Sequence, residues 1–152
     1  MDPRRLALRA FTLLELVFVM AITAILAALA MPTFGAYTER VRGTEAIVHM
    51  KSIEQEIGGF FAAAGRLPAD LAAVGMDGLL DPWGNPYQYT NLATAPPGHA
   101  RKDRFLVPIN SDFDLYSMGP DGRSVPPLTA RMSRDDIIRA NDGSFYGRAS
   151  AY

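Results

Sequence analysis

The chain has 152 residues, 49% of them hydrophobic and 20% charged, with a formal net charge of −1 and no cysteine. That length leaves room for one small domain beside any membrane segment. The missing cysteines exclude disulfide staples and thiolate chemistry, and Lys and Arg scattered without interleaved aromatics argue against a nucleic-acid surface. The chain opens with Arg4, Arg5 and Arg9 against Asp2 alone, a short basic leader over residues 1–10.

An apolar run follows. At about 1.5 Å rise per residue, residues 11–31 cover about 32 Å, close to the roughly 30 Å hydrocarbon core of a bilayer, so the run can span once. The basic leader then lies in the cytoplasm, with everything after Met31 on the far side of the membrane. A cleaved secretory signal has a similar plan, but this run is longer than the usual apolar region. Its end, Ala28 to Met31, leads into more helix-like sequence rather than a polar cleavage region. The run holds one acid, Glu15. A charge in a span costs about 2.5–3.5 kcal/mol at the helix centre, so such a residue is a functional one by default.

The stretch Ala10-Phe11-Thr12-Leu13-Leu14-Glu15-Leu16 resembles the class III signal of type IV pilins and type II secretion pseudopilins. The resemblance implies cleavage between Ala10 and Phe11 by a prepilin peptidase, N-methylation of Phe11, and retention of the apolar helix in the mature chain. The family usually has Gly before the cut, where this chain has Ala10, and it places a helix-kinking proline where Pro32 stands. Cutting there creates an α-amino group about one helical turn from Glu15. In a low-dielectric bundle the Phe11 amine and the Glu15 carboxylate of neighbouring subunits can neutralise each other and set axial register. The alternative is an acid near a helix N-terminus, satisfied by the macrodipole and by snorkelling toward headgroups, with no partner.

Beyond Pro32, Ala46, Met50, Ile53, Ile57, Phe60 and Ala64 recur alternately four and three residues apart, while Glu45, Lys51, Glu54 and Glu56 fall largely off that stripe. The spacing predicts an amphipathic helix to about Ala64, stopped by Gly65 and Pro68. Pro32 and Gly35 predict a weak point between the two halves, because proline deletes one backbone bond and clashes with the preceding turn.

From Gly65 onward most of the eleven prolines and thirteen glycines gather, so short strands and turns replace helix. Asp81 to Tyr89, DPWGNPYQY, reads as a tight turn feeding a strand, with Tyr87 and Tyr89 on one face. Phe105 to Ile109 and Phe113 to Ser117 are the next predicted strands, with a long loop from Thr94 to Lys102 before them. Trp83 is expected as a core anchor beneath the turn, or as a contact to a neighbouring subunit. His49 and His99 lack partners at zinc spacing, and no phosphate loop or nucleophile elbow is present.

DPWGNPYQY followed by Asp112-Phe-Asp114-Leu-Tyr-Ser117-Met-Gly119-Pro-Asp121-Gly122 resembles the globular domain of the G-type major pseudopilin of type II secretion. Pilins usually close their C-terminal region with a disulfide, whereas similar pseudopilins bind Ca²⁺ there. The resemblance implies Ca²⁺ ligation by the Leu115 carbonyl, Ser117 and Asp121, with Asp135 or Asp136 closing the loop; six to eight hard oxygens are what the ion takes. The connection from Arg123 to Arg134 is longer and more basic than the family's loop. The alternative for these acids is a turn at Asp121-Gly122 and a capping box at Ser133-Arg134-Asp135-Asp136 ahead of a helix at Ile137-Ile138-Arg139.

The expected fold is α+β: a long N-terminal α-helix, transmembrane then amphipathic, packed on a small antiparallel sheet with a loop-rich C-terminal end, as in pilins. The expected segments are a cleaved leader (1–10), a transmembrane assembly helix (11–31) and an exported globular domain (32–152). The resemblance implies a single-pass inner-membrane protein with a cytoplasmic N-terminus and periplasmic domain, a pseudopilus subunit rather than an enzyme. It would polymerise with itself into a filament that drives protein export, with other pseudopilins and an inner-membrane assembly platform as partners. The alternatives are a type IV pilin or minor pilin for adhesion, motility or DNA uptake, and a membrane-anchored binding module or enzyme.

Overall fold

The computed structural model describes residues 11–152, apart from the side chains of residues 30–33. Ala10 therefore lies outside the described residues, as does the Pro32 side chain. Helix α1 runs from Leu13 to Ala64, the terminus that Gly65 and Pro68 predict. The chain divides between Glu39 and Arg40 into two units.

In the first unit α1 is apolar on every side. Leu13, Leu14, Phe18, Ile22, Ile25 and Leu29 are all more than half exposed, although any one-sided helix would cover some of them. The helix is long and apolar enough to cross a membrane. Thr23, the polar residue in mid-run, returns its Oγ1 hydrogen to the Val19 carbonyl at 2.8 Å and so presents no unpaired donor.

In the second unit α1 shows the predicted stripe as far as Ile57: Ala46, Met50, Ile53 and Ile57 are essentially inaccessible, whereas Phe60 is half-buried and Ala64 exposed, beyond the reach of the sheet. The four inaccessible residues pack on Tyr87, Phe113, Leu115 and Ile137. The last three come from a four-stranded antiparallel sheet in the order β1 (Gln88–Asn91), β2 (Phe113–Ser117), β3 (Ile137–Ala140) and β4 (Phe145–Arg148), and Tyr87 immediately precedes β1. Alternation fixes the two faces. Phe113, Leu115 and Ile137 meet the helix, while Ile138 and Ala140 join Ile109, Leu128 and Ala149 in a second apolar cluster. The sheet is thus buried on both sides, and every residue of β3 is buried. Trp83 packs at the edge of the helix-facing core, as the anchor reading expects.

The structure departs from the sequence reading in two places. Phe105 to Ile109 is not a strand: the Asp103 carboxylate accepts the Phe105 and Val107 amides at 2.8 and 2.9 Å and closes a turn, leaving Phe105, Leu106 and Val107 exposed. Ile137 to Ala140 is a strand, not a helix capped by Ser133. The Ser133 hydroxyl instead serves the Val125 backbone, donating to its carbonyl at 2.8 Å and accepting its amide at 2.9 Å.

Candidate functional site

At the start of α1, Thr12 and Glu15 cap each other. Glu15 Oε2 accepts the Thr12 amide and hydroxyl, both at 2.9 Å, and the Glu15 amide donates to Thr12 Oγ1 at 3.2 Å. This is a capping box, and its signature, Thr-x-x-Glu before an apolar run, was legible in the sequence but unused there. Within one chain the single acid of the apolar run is therefore hydrogen-bonded, close to the exposed Phe11 that follows the expected cut.

The two G-type stretches come together in the second unit. Asp81 closes its turn by accepting the Trp83 and Asn85 amides at 3.0 and 2.8 Å. Its other oxygen accepts the Ser117 hydroxyl at 2.5 Å, and Asn85 Nδ2 donates to the Gly119 carbonyl at 3.0 Å. β1 and β2 pair between these contacts, with Tyr89 opposite Leu115. Gly119 is obligatory: at φ 64°, an added Cβ would lie 2.6 Å from the Asp135 carbonyl oxygen.

These contacts decide whether the expected ligands suit Ca²⁺. Ser117 is committed to Asp81. Asp121 is exposed and accepts the Arg123 amide at 2.8 Å in its own turn. Asp136 is fully buried, and its Oδ2 takes Arg101 Nη2 and Ser124 Oγ, each at 2.5 Å. Its Oδ1 is the one oxygen of that carboxylate without a partner. Among the described residues no three His, Cys, Asp or Glu side chains gather in a group that could hold a metal. A divalent ion about 4 Å from the Arg101 guanidinium would meet about 8 kcal/mol of repulsion at an effective dielectric of 20, twice the unit-charge figure. The residues present do not fit a calcium site.

Two buried arginines hold the loops instead. Arg101 also donates through Nη1 to Ser124 Oγ at 2.5 Å and to the Val125 carbonyl at 2.6 Å, and its guanidinium lies 4.3 Å from the Tyr116 ring centroid. Its backbone amide reaches buried Asp114 at 2.6 Å. Arg139 joins Glu54 of α1 at 2.8 Å and Asp112 at 2.7 Å, over the Phe113 ring. Tyr146 donates to the second Glu54 oxygen. Burial works against the Arg139 charge, yet the hydrogen bonds to Asp112 and Glu54 leave its pKa above the usual guanidinium value. Burial pushes the Asp136 carboxyl up to about 7, although Ser124 and Arg101 pull it the other way. Neither arginine stood out in the sequence, where a lone charge in a loop or strand carries no pattern.

A long helix, apolar all round and then one-sided, laid on a four-stranded antiparallel sheet defines a pilin-like α+β protein. Residues 8–31 match the prokaryotic N-terminal methylation motif. The chain is 31% identical over 134 residues to the type II secretion system core protein G of Pseudomonas aeruginosa, covering 74% of this chain and 84% of that one. It belongs to the family of that core protein G, the G-type pseudopilins. It is also 33% identical over 73 residues to a fimbrial protein of Neisseria meningitidis, covering 48% of this chain and 43% of that protein. The type IV major pilin protein PilE of Neisseria gonorrhoeae is 35% identical over 68 residues, covering 45% of this chain and 41% of that pilin. No solved structure matches the chain.

Proposed function

We propose that the protein is a structural subunit of a type II secretion pseudopilus, polymerising through its N-terminal helix into a filament that drives protein export. The observation that carries this is the likeness to core protein G across most of both chains. The uncovered apolar half of α1 supports it, because such a helix needs lipid or other helices around it. In this reading the basic leader holds the N-terminus in the cytoplasm and the sheet domain is periplasmic. A prepilin peptidase cuts at Ala10–Phe11, the new amine is methylated, and the inner-membrane assembly platform and other pseudopilins receive the subunit.

Assembly then exchanges partners. In the free chain Glu15 is held by Thr12; in the filament the Phe11 amine of a neighbouring subunit supplies the opposite charge. Intact mass and N-terminal sequencing of membrane-extracted protein should give a chain starting at N-methylated Phe11, whereas a start near Pro32 would overturn the reading. Glu15→Ala should preserve insertion and folding while lowering the sedimentable filament fraction at least tenfold. A normal yield would return Glu15 to a helix cap alone. The likeness to pilins, over less than half of this chain, favours a surface pilus only secondarily.

A further inference from the structure

We propose that the Arg101 guanidinium is the resident cation of the C-terminal loop, closing residues 118–136 onto the sheet so that this subunit folds without any divalent ion. Three oxygens converge on it: Ser124 Oγ and the Val125 carbonyl from the middle of the loop, and Asp136 Oδ2 from its end, at 2.5 to 2.6 Å. Its flat face lies on Tyr116 of β2, and its backbone amide is tied to Asp114 of the same strand. One side chain thus joins both segments of the loop to the strand beneath them.

The geometry is that of a planar donor, not of a metal. Nη1 and Nη2 are aimed at three oxygens, as a guanidinium's fork requires, and Nε alone has no partner, whereas Ca²⁺ takes six to eight oxygens around a sphere. Ser124 adds a second hydrogen bond to the Asp136 oxygen that faces Arg101, so the pair is fixed from two directions. With Asp136 paired to Arg101, the loop's Arg123, Arg131 and Arg134 outnumber Asp121 and Asp135, which disfavours a further cation. Arg101 is itself 3% exposed, so the charge has no solvent alternative. The inference rests on these contacts alone and stands or falls apart from filament assembly.

The test uses the full chain in detergent micelles at pH 8, with thermal unfolding followed by the fluorescence of Trp83 and tryptic cleavage after Arg123, Arg131 and Arg134 followed by mass spectrometry. Wild type should melt within 1 °C in 5 mM calcium and in 5 mM chelator, with the same cleavage rate in both. Arg101→Gln should lower the midpoint by roughly 10 °C and speed cleavage in the loop at least tenfold, and calcium should not restore either. The paired variant Arg101→Met with Asp136→Leu should recover at least half of the lost midpoint, since it removes both charges together. If Arg101→Gln does not fold, Arg101→Lys should fold with a smaller loss and the same indifference to calcium. A calcium-dependent rise of 3 °C or more in wild type, calcium protection of the loop, or an Arg101→Gln chain as stable as wild type would overturn the proposal.

Discussion

Two stretches of one helix are apolar in different ways. From Leu13 to Leu29 the apolar residues go all the way round and none is covered; from Ala46 to Ile57 the stripe Ala46, Met50, Ile53 and Ile57 is covered completely while Val48, off the stripe, stays exposed. A stripe names an in-chain partner, here the sheet, because only one side of the helix needs hiding. A full circumference names partners outside the chain, because no small sheet can surround a helix. The acids obey the same division. Glu54 sits at the edge of the stripe and is held by Arg139 and Tyr146 of the sheet, whereas among the described residues Glu15 is held by Thr12 of its own turn.

The largest blow to the covered half should come from Arg139→Ala. It removes the buried cation between Glu54 and Asp112 and leaves two carboxylates facing each other without it, an expected loss of about 3–5 kcal/mol. Denaturant unfolding of the detergent-solubilised chain measures it. A loss below about 1 kcal/mol would mean that apolar packing alone docks the helix. Ile53→Ala comes next, at about 2–5 kcal/mol, because the residue is wholly buried against the sheet and the site has little freedom to collapse.

A smaller effect should follow pH. Burial raises both the Asp136 carboxyl, to about 7, and the Asp114 carboxyl, so above the unfolded value of about 4 the folded chain is the more protonated, at Asp136 up to about pH 7. Their contribution is fully present below the unfolded value and is lost as pH rises toward 7. Asp142, lowered by the Ser111 amide and hydroxyl, acts in the opposite sense at the acid end. Wild type measured against Asp136→Asn should therefore lose relative stability from pH 4.5 to 7.5. A gain over that range would show that the Arg101 pairing outweighs burial.

Much of this was legible where a pattern repeats. The four-three spacing gave the helix to Ala64 and its buried stripe, and β2 falls on Phe113–Ser117 as read. β3 was missed because it is buried on both faces, so Ile137-Ile138-Arg139-Ala140 shows no alternation, and the acids before it imitate a helix start. Phe105 to Ile109 failed for the converse reason: its apolar composition suggests a strand, but Asp103 captures two amides and turns the chain. The expected calcium ligands were placed by local motif, whereas two of them have partners far along the chain. Ser117 finds Asp81, and Asp136 finds Arg101.

The smallest expected effect tests the other half of the comparison. Ile25→Ala, at a residue 62% exposed, should change unfolding by no more than about 0.5 kcal/mol, since its side chain is largely uncovered among the described residues. The same substitution should still weaken assembly, because in a bundle of such helices that side chain is surrounded by neighbours. Ile53→Ala should show the reverse pattern wherever the folded fraction is restored by lowering the temperature. If Ile25→Ala instead unfolds the chain as Ile53→Ala does, the apolar circumference is packed within the subunit. The distinction between a stripe that serves the fold and a surface that serves the filament would then be lost.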